Sequence, residues 1–182
     1  MEIQTAQKEV RTVFFGGFFG QLVSGILWLL SAALTSWQSQ KHGIITLIFG
    51  GFFIFPSVQL ILRLMKRPYS LTAENPMGQL AMQVAFTLPL SLPLVGAASM
   101  YRYSWFYPSF MIILGSHYLP FAFLYGMRMF LLLGGLLISL GLFIGLYLPT
   151  TISFGAWATG GILILFAFLG RFLVVREQRA SA

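Results

Sequence analysis

The sequence predicts an all-α, polytopic integral membrane protein, six transmembrane helices in one compact bundle, with residues 1–182 forming a single membrane domain. Three observations predict it. Of the 182 residues, 58% are hydrophobic and 8% charged, with a mean hydropathy of +0.85. A soluble domain carries roughly 25% charged residues, so water cannot be the main solvent of this surface. The apolar residues gather in runs of about 20, the length that crosses a core of about 30 Å as a helix. Finally, Lys and Arg flank those runs asymmetrically.

The first apolar run spans roughly 13–37, too long for the signal-peptide core of about 7–15 residues, and is expected to be a spanning helix. Gly17, Gln21, Ser24, Trp28 and Ser31 form its small or polar face at helical spacing. A loop from Trp37 to Gly43 leads to helix two, roughly 44–64, which carries Pro56 and Gln59. The basic stop Arg63-Leu-Met-Lys66-Arg67 and a polar connection over 66–77 follow. Helix three, roughly 77–100, holds Pro89 and Pro93, with Gln79, Gln83, Thr87 and Ser91 in one i+4 stripe. Aromatic residues over 101–107 anchor at a headgroup boundary. Helix four, roughly 105–127, contains His117 and Pro120. Helices five and six, roughly 129–148 and 152–175, are rich in Gly, and Pro149-Thr150-Thr151 turns the chain between them.

Six crossings put both termini on one side. That side holds Lys8, Arg11, Arg63, Lys66, Arg67, Arg128, Arg171, Arg176 and Arg179, nine of the eleven basic residues; Lys41 and Arg102, two, lie opposite. Basic loops stay in the cytoplasm, so both termini are expected there, in a multi-pass inner (plasma) membrane protein. The net charge of +7 is then a topology signal and a match to anionic lipid, with no call for nucleic acid.

The polar residues suggest where function lies. Each proline lacks an N–H and releases the carbonyl four residues earlier. Pro56, Pro89, Pro93 and Pro120 are therefore expected to kink helices two, three and four. Gln21, Ser24, Gln59, Gln83, Thr87 and His117 are expected to line a pocket open to the cytoplasm and to hold a ligand. Amides also pair readily between helices in lipid, so the same residues serve equally as glue. His117 is the one ionisable side chain placed deep in a span, a functional candidate by position. A hydrogen bond to a carbonyl freed by Pro120 is its structural alternative.

Chemistry is poorly provided for. There is no Cys and no Asp, and the acids are Glu2, Glu9, Glu74 and Glu177. Ser116 and His117 are adjacent, about 100° apart on a helix, and form no dyad. No paired carboxylate or metal-binding motif exists, so catalysis, cofactors and metals are not expected. The leading reading is a carrier, channel or binding protein for a small or lipid-like molecule. The alternative is a non-transporting scaffold or accessory subunit, docking a partner or a second copy through Gly134, Gly141 and Gly145.

Three stretches, GGFFGQLVSGILWLLSAAL (16–34), MQVAFTLPLSLPLVGAA (82–98) and FYPSFMIILGSHYLPFAFLYGMRMF (106–130), resemble an uncharacterised family of small bacterial integral membrane proteins. That resemblance implies a bacterial inner-membrane location and no particular activity, substrate or cofactor.

Overall fold

The computed structural model describes residues 1–148 and 153–180, and among these every regular element is helical. Residues 3–13 carry Ala6, Val10 and Val13 on one face of an otherwise polar segment, and they fold as helix α1 (Ile3–Val13) with that face buried. The run expected to begin its span at 13 instead starts after a tight turn. Phe15, Gly16 and Gly17 all have positive φ there, a conformation two glycines make accessible. Helix α2 (Phe18–Trp37) then rises from it.

The next helix begins earlier than expected. Ser39 caps α3 (Gln40–Phe52), its Oγ accepting from the His42 N–H, so His42 lies in a first turn and not in a loop. The chain bends by 53° at Phe53 into α4 (Ile54–Leu64). Pro56 explains the position, since it leaves the Phe52 carbonyl without a helical donor.

Helix α5 (Met77–Tyr101) follows the 65–76 connection. Pro89 and Pro93 lie inside it, yet it runs as one uninterrupted helix. Pro120 does break its helix, as expected. Residues 105–127 divide into α6 (Phe106–Tyr118) and α7 (Phe121–Tyr125), and the Ser116 carbonyl, deprived of its usual donor, accepts from the Leu119 N–H instead. Helix α8 (Met129–Tyr147) and helix α9 (Phe154–Ala180) complete the bundle. The turn expected at Pro149–Thr151 and the start expected at 152 lie outside the described residues.

Four segments, Phe15–Trp37, Met77–Tyr101, Met129–Tyr147 and Phe154–Ala180, are long and apolar enough to cross a membrane, and α3 with α4 makes a fifth if the bent pair is one span. The chain is therefore a helical membrane protein.

Packing rests on close backbone approach. The most extensive contacts are α2 with α9 and α6 with α8. At each crossing two glycines face one another, Gly25 with Gly160 and Gly115 with Gly134, and a Cβ on either member would fall within 3.1 Å of the partner's carbonyl oxygen. Lipid tails offer no hydrophobic drive for helices to associate, so such close packing supplies much of the cohesion. Polar ties secure the two ends. At one end Tyr107 on α6 meets the Ser31 hydroxyl at 2.8 Å, and Ser31 donates to the Gly43 carbonyl at 2.8 Å. At the other, Arg11 on α1 pairs with Glu177 on α9 at 2.6 Å.

Candidate functional site

The helices enclose a cavity of about 1070 Å³ in the half of the bundle nearest α1. Its wall comes from the first half of α2, from α4, from the first half of α5, and from the end of α6 with α7. A side chamber of about 160 Å³ adjoins it and shares Ala85, Pro89 and Phe110. The residues flanking the bend at Phe53 (Phe52, Ile54) and the break before Pro120 (Tyr118, Phe121) lie on this wall, so both irregularities border the cavity.

Four of the six residues expected to hold a ligand meet on that wall: Gln21, Ser24, Gln59 and His117. Gln83 and Thr87 do not. Both are exposed on α5, which turns the apolar stripe Met77, Val84 and Val95 toward its neighbours instead. Gln79, one turn earlier in the same polar stripe, does reach the cavity.

Gln21 is the unusual member. It is 2% exposed, and neither its Oε1 nor its Nε2 has a hydrogen-bond partner. An unsatisfied buried amide costs about 1–3 kcal/mol, which a ligand would recover. Gly17 makes room beside it, since a Cβ there would sit 3.2 Å from Nε2. Trp28 and Phe110, with ring centroids 5.2 Å apart, line the deeper apolar part.

Gln59, Asn75 and His117 are engaged in hydrogen bonds. Gln59 donates Nε2 to the Tyr69 carbonyl at 3.0 Å. Asn75 donates to the Ala6 carbonyl at 3.1 Å and to Glu9 at 2.9 Å, and it accepts from the Met77 N–H. His117 Nδ1 lies 3.1 Å from Thr87 Oγ1. The Thr87 hydroxyl also lies 2.7 Å from the Val84 carbonyl, one turn back on α5. His117 thus joins α6 to α5 through Thr87, not through a carbonyl freed by Pro120.

Helix α1 was missed as part of the site because residues 1–12 look like a polar tail. The signal was present in the spacing of Ala6, Val10 and Val13. Glu9 accepts from the Thr72 N–H at 2.6 Å and from Asn75, so α1 straps the 66–76 connection across the mouth. The Thr72 N–H, ahead of the Asn75 and Thr72 side chains, holds the Glu9 carboxyl below its ordinary value, against an opposing effect of burial.

Helix α8 presents no free glycine groove at the positions the docking reading needs. Gly134 packs on Gly115 and Leu119, Gly141 on Pro108 and Ile112, and Gly145 on Pro108. Its exposed positions include Leu132, Phe143 and Leu146.

No curated protein and no solved structure matches this sequence. A family model described as a family of unknown function does match, over residues 3–172, from the first residue of α1 well into α9 and including the whole cavity wall. The chain belongs to that family of unknown function, DUF7010.

Proposed function

We propose that this protein binds or carries a lipid-like molecule in the cavity, as a cell-membrane protein that crosses the bilayer six times with both termini in the cytoplasm. The observation that carries the proposal is the unpartnered, buried Gln21 amide beside about 1070 Å³ of largely apolar space. Ligand pockets run to roughly 300–1,000 Å³, mostly apolar with a few polar groups that orient the ligand. The volume here is at the top of that range and suits a long-chain amphiphile.

Polar ties at the two ends support the six crossings. The Ser31, Gly43 and Tyr107 contacts bring together the end of α2 and the starts of α3 and α6. Gln40 donates to the Tyr103 carbonyl at 2.8 Å, and Trp157 donates to Ser36 at 3.2 Å, which adds the end of α5 and the start of α9. Opposite, Arg67 stacks on Phe15, Asn75 holds Ala6, and Arg11 reaches both the Tyr125 carbonyl and Glu177. On this reading α6 and α7 together make the sixth span, broken at Pro120. The nine-to-two division of basic residues then places the α1 end in the cytoplasm.

The internal packing of Gly134 and Gly141 weighs against docking through α8. The chain's lack of cysteine makes a direct test simple. Ser24→Cys, on the cavity wall, should react with an apolar maleimide in the folded protein, and extracted membrane lipid should slow the reaction. A thiol that stays inert until the protein is denatured would mean that the cavity admits nothing.

A further inference from the structure

The cavity has two features beyond size. The first is a side opening. Helices α4 and α5 scarcely touch, and the cavity wall between them is made of Phe52, Phe55, Met82 and Phe86, each more than half exposed. An apolar molecule in the surrounding bilayer would meet only apolar side chains on its way in.

The second is unneutralised positive charge at the mouth. Arg63 lines the cavity, its guanidinium 4.6 Å from the centre of the Tyr69 ring. Arg67 stands off the cavity wall, 3.8 Å from the centre of the Phe15 ring, and its Nε is buried without a hydrogen-bond partner. Among the described residues Arg11–Glu177 is the one ion pair, so neither Arg63 nor Arg67 has a carboxylate partner. Guanidinium groups recognise phosphate through paired N–H donors.

Depth links these features. Gln21 lies beyond the turn that holds Phe15, three residues from Phe18 at the start of α2 and roughly 4.5 Å along that helix at about 1.5 Å per residue. The polar groups thus run from cationic at the mouth, through one unpaired amide, to apolar around Trp28 and Phe110. An acyl phospholipid has the same order: phosphate, ester, hydrocarbon.

Resting on the binding reading above, we infer that the ligand is an anionic phospholipid from the bilayer. Its chain enters between α4 and α5, its phosphate meets Arg63, and an ester carbonyl accepts from the Gln21 Nε2.

Trp28 offers a reporter, being 2% exposed and on the cavity wall. Replacing the other tryptophans (Trp37→Phe, Trp105→Phe, Trp157→Phe) leaves it alone in the full-length chain. The protein is placed in phosphatidylcholine nanodiscs that contain a small fraction of lipid with brominated chains, either phosphatidylglycerol or phosphatidylcholine. Brominated phosphatidylglycerol should quench Trp28 at about fivefold lower mole fraction, the preference expected from one basic contact. Arg63→Gln should abolish that preference, while Arg67→Gln, off the cavity wall, should leave it in place. Gln21→Leu should raise the fraction needed for either lipid by several-fold. Equal quenching by the two lipids would overturn the headgroup assignment while leaving a lipid-filled cavity. No quenching by either, with Ser24→Cys still reactive, would overturn the lipid assignment and leave only the cavity.

Discussion

Arg11 grips Glu177 as a fork, with Nε 2.7 Å from Oε2 and Nη2 2.6 Å from Oε1. The two residues lie 166 positions apart, near opposite ends of the chain, so the pair fastens α1 to the last turns of α9. Helix α1 and the last described turns of α9 therefore lie at one end of the bundle. Single cysteines introduced at Ser39 and Ala73 into the cysteine-free chain should accordingly label from opposite faces of intact cells or sealed vesicles. A membrane-impermeant maleimide applied outside should reach Ser39→Cys, and Ala73→Cys only after permeabilisation. Labelling of both from one face would defeat the six-crossing arrangement.

The strap formed by α1 should respond to acid. The Glu9 carboxyl is held below its ordinary value chiefly by the Thr72 N–H. A group whose folded value is lowered stabilises the fold fully above its unfolded value, and the contribution fades as pH falls through the folded one. Loosening should therefore appear below the ordinary carboxylate range and not near neutrality. Hydrogen exchange at Thr72 should accelerate there, and Glu9→Gln should show the faster exchange already at neutral pH.

Replacing Gln21 separates glue from ligand recognition. Were Gln21 an interhelical hydrogen-bonding residue, Gln21→Leu would destabilise the fold. Its amide has no partner, so the change should stabilise the delipidated protein by about 1–3 kcal/mol. Thermal unfolding in detergent, before and after lipid is restored, reads this directly; the gain should shrink once lipid is bound.

The glycine crossings should tolerate no side chain. A Cβ at Gly134 would lie 2.7 Å from the Gly115 carbonyl oxygen, which is backbone and cannot rotate away. Gly134→Ala should cost about 1–3 kcal/mol through overpacking. Its neighbour Gly135 has open space at the same point, so Gly135→Ala should change stability by less than about 0.5 kcal/mol. The contrast is measured by unfolding the two variants under one set of conditions.

Gln21, Ser24, Gln59 and His117 were legible as site residues because a polar side chain inside an apolar run has few places to go. Gln83 and Thr87 obeyed the same pattern, yet both lie exposed on α5 and off the cavity wall, Thr87 reaching it only through His117. The reason is the solvent. In water, a helix shows its buried side as an apolar stripe; in lipid both sides are apolar and the contrast disappears. Helix α1 shows the converse. It lies at a polar end, where contrast is restored, and Ala6, Val10 and Val13 mark its buried face plainly. Proline divided in the same way. Pro120 ends α6 and the bend falls close to Pro56, while Pro89 and Pro93 are accommodated within α5. The missing N–H can be read from sequence, but what replaces it depends on neighbours.

The sequence by itself determined the solvent, the apolar runs, and the residues too polar to be idle within them, because each follows from transfer free energy and chain geometry over a short stretch. Only the tertiary structure decided that glycines at 25, 115, 134 and 160 face one another in pairs, that α1 returns to bind α9, and that Gln21 is left without a partner. Those facts depend on which helices become neighbours. Between apolar helices in an apolar medium, that choice is made by shape and by a few distant polar contacts, and no local pattern records it.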